Sequence, residues 1–174
     1  MKASEPGDYN ERMLALRYAG LVALTLWVGG LLALGAIGAP AIFDVLAARH
    51  VAGDRLLAGA IFGEILGRFH LLSYVCGVVL LGTLLVRGIM GPRPIMFAVR
   101  LAVAVVMLLA TMYSGLIVSG KIVRTQAEIG VAPSSLPEGD PRRAAFGRLH
   151  AMSTGLAAVP ILGGFFLLFR ELKD

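Results

Sequence analysis

Two histidines stand in the same short phrase of sequence, once in the middle of the chain and once near its end. The phrase is Gly-Arg-x-His-x-x-Ser, and it occupies residues 67–73 and 147–153. In a helix, the glycine, histidine and serine of each copy follow one another along one side. An imidazole beside small residues can bind a metal or a haem iron, or it can pack and hydrogen-bond. The residue types alone permit either role.

The residues around the two histidines extend the candidate site. Arg68 and Arg148 can reach lipid headgroups or clamp an anion such as a haem propionate. Trp27 and Tyr113 precede the two histidines at similar distances in the chain. Histidines on facing helices of a bundle can hold b-type haem or copper. The predicted cofactor-binding residues are His70, His150, Arg68, Arg148, Ser73, Ser153, Gly67, Gly147, Trp27 and Tyr113, with the two histidines as metal ligands.

The composition places these residues in a membrane protein. The chain has 174 residues, of which 57% are hydrophobic and 16% are charged, and its mean hydropathy is +0.81. A soluble domain carries about 25% charged residues, so lipid is the expected solvent. The net charge of +5 does not indicate a nucleic-acid partner, because the basic residues are spread over termini and loops. Cys76 is the single cysteine, which excludes an intramolecular disulfide.

Four apolar runs are long enough to cross a bilayer as helices. They belong to one predicted domain, residues 14–170, with spans at about 16–43, 61–87, 95–121 and 146–169. A polar tail is predicted at 1–13 and an extramembrane loop at 126–143. Pro40 is expected to kink or end the first helix, because it lacks a backbone donor. The predicted fold class is therefore all-α, an integral membrane four-helix bundle.

The repeated phrase predicts that two similar helix hairpins build the bundle. A hairpin has an even number of spans, so the two copies have parallel topology. The second and fourth helices then run in the same direction, and His70 and His150 are expected at one depth. Lysines and arginines divide equally between the two sides, but the turn at 87–100 is purely basic. We therefore expect a multi-pass protein of the bacterial inner membrane with cytoplasmic termini.

The first span carries a pattern that resembles a known family. Residues 26–30 read Leu-Trp-Val-Gly-Gly and residues 38–43 read Gly-Ala-Pro-Ala-Ile-Phe. Together with the two Arg-x-His-x-x-Ser phrases, they resemble the DUF4149, or TMEM205-like, family of four-span membrane proteins. The Trp-Val-Gly-Gly element is also similar to the CopD copper-resistance membrane domain and, more faintly, to HemJ-type proteins. That fainter resemblance implies a copper or haem site at histidines.

Three functions are compatible with these residues. The first is a small membrane protein that binds b-type haem or copper between helices two and four, in electron transfer or metal handling. The alternative is a non-catalytic accessory subunit that packs against other membrane subunits or a second copy, or binds lipid. A small transporter ranks third, because the first helix has no charge in mid-span. No nucleophile–base pair or nucleotide-binding motif is present, so catalysis is not expected.

Overall fold

The protein is an all-α membrane bundle, as the composition predicts. The computed structural model describes residues 6–91, 93 and 95–173. Two π-helical turns, Leu34–Gly38 and Ser114–Val118, carry the first and third spans on without a break. Four continuous helical stretches are long and apolar enough to cross a membrane. The helices are α1 (Pro6–Ala33), α2 (Ala39–Ala48), α3 (Asp54–Met90), α4 (Phe97–Tyr113), α5 (Ser119–Ile129) and α6 (Pro141–Glu171).

The four spans form a ring in chain order. Helix α1 packs on α3, α3 on α4, α4 on α6, and α6 on α1. Successive spans run in opposite directions, so α3 and α6 lie on a diagonal and run the same way. The beginning of α1 and the end of α6 meet, because Arg17 bonds to Glu171. We call this side of the bundle the terminal end, and the opposite side, with α2, α5 and the first halves of α3 and α6, the open end.

The start of the chain is helical from Pro6, within the tail predicted at 1–13; residues 1–5 lie outside the described part of the chain. Proline suits the first helical position, where its missing N–H has no intrahelical partner in any case. The Tyr9 hydroxyl donates a 3.0 Å hydrogen bond to the carbonyl of Met90. This bond holds the first turns of α1 against the end of α3. The polar residues of the sequence do not predict such a contact.

Pro40 does not end the first span. It lies in the first turn of α2, directly after the π turn Leu34–Gly38. There the N–H of Ala39 bonds to the carbonyl of Leu34, five residues back. The wider turn relieves the clash that a proline ring makes in a regular α-helix, so the helix continues.

The hydrophobic core fills the middle of the bundle and extends toward the terminal end. Trp27 is fully buried at its centre, together with Met107 of α4. A Cβ added at Gly77 would lie 2.7 Å from Leu108 and 3.2 Å from the Trp27 ring. A Cβ at Gly163 would lie 2.8 Å from Met107. Helices α3 and α6 therefore both pack closely on α4.

The open end has no comparable core. Helix α2 packs chiefly on α3, and α5 chiefly on α6. Helix α2 has no buried residue, and α6 has none before Pro160. The predicted loop at 126–143 is also shorter in the structure, because α5 continues to Ile129 and α6 begins at Pro141. The Asp140 side chain caps α6 by accepting a 2.8 Å bond from the Arg142 N–H.

Candidate functional site

The π turn Ser114–Val118 forms one wall of the candidate site. Ser114 and Val118 are buried within it. The Ser119 hydroxyl donates a 3.0 Å hydrogen bond to the Ser114 carbonyl, five residues earlier. π-Helical turns inside α-helices frequently occur at functional sites.

His70 and Tyr74 of α3 pack directly against this π turn. A Cβ at Gly115 would collide with the Tyr74 hydroxyl and would lie 2.9 Å from Cγ of His70. A glycine is therefore needed there for the two helices to approach. The two rings stack, with centroids 6.3 Å apart and an interplanar angle of 21°.

Two polar atoms of this pair are buried without a partner. His70 is only 6% exposed. Within the described chain, neither Nδ1 of His70 nor the Tyr74 hydroxyl has a hydrogen-bond partner. A buried polar group left unpaired costs about 1–3 kcal/mol, and native proteins tolerate few of them. The pair therefore offers unused hydrogen-bonding or ligating capacity inside the bundle.

His150 occupies a different environment from His70. It is exposed, and its ring stacks on Phe146 with centroids 6.3 Å apart and an interplanar angle of 9°. His70, by contrast, is buried and packs against the π turn.

The equal depth of the two histidines, which the repeated phrase led us to expect, stays a prediction. The π turns Leu34–Gly38 and Ser114–Val118 begin 80 residues apart, the same separation as that of the two histidines. This spacing is compatible with two repeated hairpins, but the repeat and the shared histidine site both stay predictions.

The other predicted residues divide between interior and surface. Ser73 is buried and donates a 2.9 Å bond to the Phe69 carbonyl. Trp27 belongs to the core, and its Nε1 has no partner among the described residues. Arg68 is exposed and pairs with Glu64 on the same helix at 2.9 Å. The remainder lie wholly or partly at the surface: Gly67, Tyr113, Gly147, Arg148 and Ser153.

The donors present fit one ligating histidine better than a preformed metal site. In the part of the chain that the structure describes, no group of three or more His, Cys, Asp or Glu is placed to hold a metal ion. The neutral imidazole of His70 is a suitable ligand for haem iron or copper. An added Cβ would meet nothing within 4 Å at Gly63, Gly67 or Gly155, and these three exposed glycines leave the helix surface near the histidines open.

The terminal end holds a cluster of ion pairs, here called the arginine–glutamate cluster. The Glu171 carboxylate bonds to Arg17 of α1 at 2.9 Å, Arg87 of α3 at 3.0 Å and Arg100 of α4 at 3.1 Å. Arg100 is 1% exposed and also donates a 2.8 Å bond to the carbonyl of Arg170. One carboxylate of α6 thus joins the other three spans.

Sequence reasoning missed this cluster, because each of its arginines was treated as a charge of a loop or tail. A signal was available in the positions of the charges. Arg17, Arg87, Arg100 and Glu171 all lie at the ends of apolar runs that meet on one side of the membrane. Three basic residues and one acid at that level predict that the acid is shared.

The fold and the charges at its boundaries define a small multi-pass helical membrane protein. The family described as "Domain of unknown function (DUF4149)" matches residues 22–130. This match covers more than half of the chain, so the protein belongs to the DUF4149 family, as the pattern at 26–43 indicated. The matched region contains the phrase at 67–73 but not the one at 147–153.

Neither the search of curated proteins nor that of solved structures gave a significant match. The fainter similarities to the CopD domain and to HemJ-type proteins gain no support from these comparisons. Membership of the DUF4149 family supports the fold class and carries no statement about substrate or cofactor.

Proposed function

We propose that this protein is a non-catalytic subunit of a larger membrane assembly and that its open end packs against a partner helix. The observation that carries this is the unfilled space beside the glycines of that end. An added Cβ would meet no atom within 4 Å at Gly35, Gly63, Gly67, Gly120, Gly147 or Gly155. Small residues in membranes concentrate where helix backbones approach closely, whereas contact with lipid chains requires no glycine.

The packing of the helices supports the same function. At the open end, α2 leans on α3 and α5 leans on α6, so the two hairpins are less closely joined there than at the terminal end. The hydrophobic core also stops short of this end. A partner helix that enters between the hairpins would bury surface that the chain itself leaves uncovered.

The test compares substitutions at the two ends of the bundle, at glycines where an added Cβ meets nothing within 4 Å. Gly67→Leu and Gly155→Leu place a bulky side chain at the open end, and Gly82→Leu does so near the terminal end, where an added Cβ also meets nothing. Membranes are solubilised in a mild detergent, and the mass of the tagged protein's complex is measured by native gel and light scattering.

We expect the unmodified protein in a complex well above its 18.3 kDa monomer. The two open-end substitutions should release the monomer, and Gly82→Leu should not. A partner-free monomer for the unmodified protein, or equal release by Gly82→Leu, contradicts the proposal. A complex that contains only this chain would identify the partner as a second copy.

A second candidate function is favoured by the unpaired Nδ1 of His70. In this candidate, His70 anchors a b-type haem or a copper ion at the open end, and His150 supplies a second ligand, in electron transfer or metal handling. Bound haem or copper would supply one-electron chemistry. The chain itself would provide the ligand, with Ser73 and Gly67 on neighbouring turns of α3 and Arg68 near the membrane boundary.

An absorption spectrum and metal analysis of the purified protein test the second candidate. A Soret band, or stoichiometric copper, is expected, and His70→Ala should abolish it. His150→Ala should alter the ligand set and shift the spectrum, whereas His50→Ala serves as the control, since His50 lies in the turn after α2. A purified protein with neither iron nor copper removes this candidate.

Localisation to the bacterial inner membrane with cytoplasmic termini is also a proposal. It is supported by the basic turn at 87–100, which lies on the same side as both termini. A reporter that is active only in the cytoplasm, fused after the last residue, should be active, and the same reporter inserted at Gly139 should be inactive. The opposite result for the two reporters would show that the termini lie on the other side of the membrane.

A further inference from the structure

We propose that the partner helix at the open end carries a hydroxyl side chain that donates a hydrogen bond to the backbone carbonyl of Gly35. This contact rests on the proposed function, because it gives the partner of the open end a stated chemistry. Gly35 belongs to the π turn Leu34–Gly38, which joins α1 to α2.

The Gly35 carbonyl lacks a backbone donor within its own helix. In a regular α-helix the N–H of Ala39 would reach this carbonyl, but here it bonds to the carbonyl of Leu34, five residues back. The next bond in that register would come from the N–H of residue 40. Residue 40 is Pro40, which has no N–H. The carbonyl of Gly35 therefore keeps its capacity to accept a hydrogen bond.

Gly35 lies at the surface of the protein and within the depth of the bilayer. It is exposed, and an added Cβ there would meet nothing within 4 Å. Gly35 follows Arg17, the last charged residue before it, by eighteen residues. This separation is about 27 Å of helix, less than the ~30 Å hydrocarbon thickness of a bilayer. Lipid chains have no donor groups, so an unpaired carbonyl at this depth is costly and calls for a donor from protein.

The second π turn shows how the chain itself covers such a position. Gly115 holds the second place in that turn, as Gly35 does in the first. The second turn contains buried residues, and helix α3 covers it with the Tyr74 hydroxyl directly against Gly115. The first turn contains no buried residue. A helix that presents a hydroxyl to Gly35 would give the first turn the cover that the second already has.

A small hydroxyl side chain suits Gly35 better than a charged donor does. Membrane helices approach closely through small residues, and serine and threonine combine small size with a donor. A lysine or arginine would bring a charge into the hydrocarbon, which is costly. We therefore expect a serine or threonine of the partner helix against Gly35.

The first experiment supplies the missing donor within the chain. Pro40→Ala restores the N–H of residue 40, so the hydroxyl of the partner is no longer needed. Native gels and light scattering over a dilution series in a mild detergent should show the complex dissociating at a roughly three- to tenfold higher protein concentration. This is the range expected for one hydrogen bond between membrane helices. Pro160→Ala is the matched control, because Pro160 is buried inside α6, and it should leave the complex unchanged.

The second experiment blocks the approach to Gly35. Gly35→Leu places a bulky side chain on the π turn and should release the monomer. Gly29→Leu is the matched control on the same span, since Gly29 is exposed and an added Cβ there also meets nothing within 4 Å. We expect the complex to survive this control. The fluorescence of Trp27, the single tryptophan, reports whether each variant keeps its buried core.

The third experiment identifies the donor. A photo-crosslinking amino acid, p-benzoylphenylalanine, replaces Ile37, which is 68% exposed in the same π turn. Mass spectrometry of the crosslinked peptide should find an apolar segment with a serine or threonine, in another protein or in a second copy of this chain. Replacement of that residue by alanine or valine should weaken the complex as much as Pro40→Ala does. The two changes together should weaken it no further, because they remove the same hydrogen bond.

Three results would overturn the proposal. They are a complex that withstands both Pro40→Ala and Gly35→Leu, equal release by Gly35→Leu and Gly29→Leu, and a crosslinked segment without serine or threonine. Release by Gly67→Leu, together with full retention in Pro40→Ala and Gly35→Leu, would support the proposed function and refute the contact at Gly35. A partner-free monomer of the unmodified chain would refute the proposed function itself.

Discussion

The two ends of the bundle treat their buried polar groups in opposite ways. At the terminal end, Glu171 bonds to an arginine from each of the other three spans. At the open end, Nδ1 of His70 and the hydroxyl of Tyr74 are buried and meet no partner in the described chain. The first arrangement fixes the helices relative to one another. The second leaves polar capacity unused, which costs stability and is typical of positions kept for function.

The glycines show the same contrast in packing. At Gly164 of α6, an added Cβ would collide with the side chain of Val28, which is buried in the core. At Gly155, nine residues earlier on the same helix, it would meet nothing within 4 Å. One helix therefore changes from close packing to open space along its length. From this difference we expect the terminal end to contribute more to stability, and the open space at Gly155 supports the proposal that the open end binds a partner.

The largest effect is expected from removing the shared carboxylate. Glu171→Gln removes the carboxylate charge that Arg17, Arg87 and Arg100 share, and breaking such a buried pair costs about 3–5 kcal/mol. Denaturant unfolding in detergent, followed by Trp27 fluorescence, measures the loss. The matched control is Glu64→Gln at the open end, which removes an exposed pair with Arg68 and should cost at most about 0.5 kcal/mol. Similar losses for the two variants would refute the assignment of stability to the terminal end.

The next effect compares alanine at the two glycines of α6. Gly164→Ala should destabilise the protein by about 1–3 kcal/mol, because the stiff Val28 side chain has to move. Gly155→Ala should be neutral or stabilising by up to ~1 kcal/mol, since alanine is the better helix former. Unfolding midpoints of the two purified variants decide the matter. Equal destabilisation would mean that the open end is packed as tightly as the core.

The fold was predictable from the sequence because hydropathy and length determine which segments can cross a bilayer. Pro40 shows the limit of that reasoning. A π turn just before it accommodates the missing hydrogen bond, and no residue pattern predicts that turn. The start of α1 is a similar case, because its helix depends on the distant contact between Tyr9 and Met90.

The candidate site was only partly predictable. The sequence placed His70 and Ser73 along one side of a helix, and the structure shows that both are buried. It did not identify Tyr74 as the partner of His70 or Gly115 as the opposing surface, because both follow from how α3 packs on the third span. His150 is exposed, although it stands in the same phrase as the buried His70. The same short phrase therefore does not give both histidines the same surroundings.

A smaller effect is expected at His70 itself. In protein without a bound ligand, His70→Leu should raise the free energy of unfolding by about 1 kcal/mol, because it removes an unpaired buried nitrogen and keeps most of the side-chain volume. His150→Leu should change it little, since His150 is exposed. The comparison is made by denaturant unfolding with the Trp27 signal. A large loss of stability in His70→Leu would mean that Nδ1 is paired, for example to a buried water.

The smallest effect is expected from the charge of Asp140, which caps the start of α6 at the open end. Hydrogen bonds from the Arg142 side chain and backbone hold the pKa of the Asp140 carboxyl below its ordinary value. A lowered pKa in the folded state means that this stabilisation is complete above the ordinary pKa, about 4, and is lost as pH falls through the lowered value. Asp140→Asn keeps the cap and removes the titration. We therefore expect the native protein to have a higher unfolding midpoint than Asp140→Asn at pH 7. The two midpoints should become equal as the pH falls to 2. A constant difference across that range would show that the charge of Asp140 does not contribute to stability.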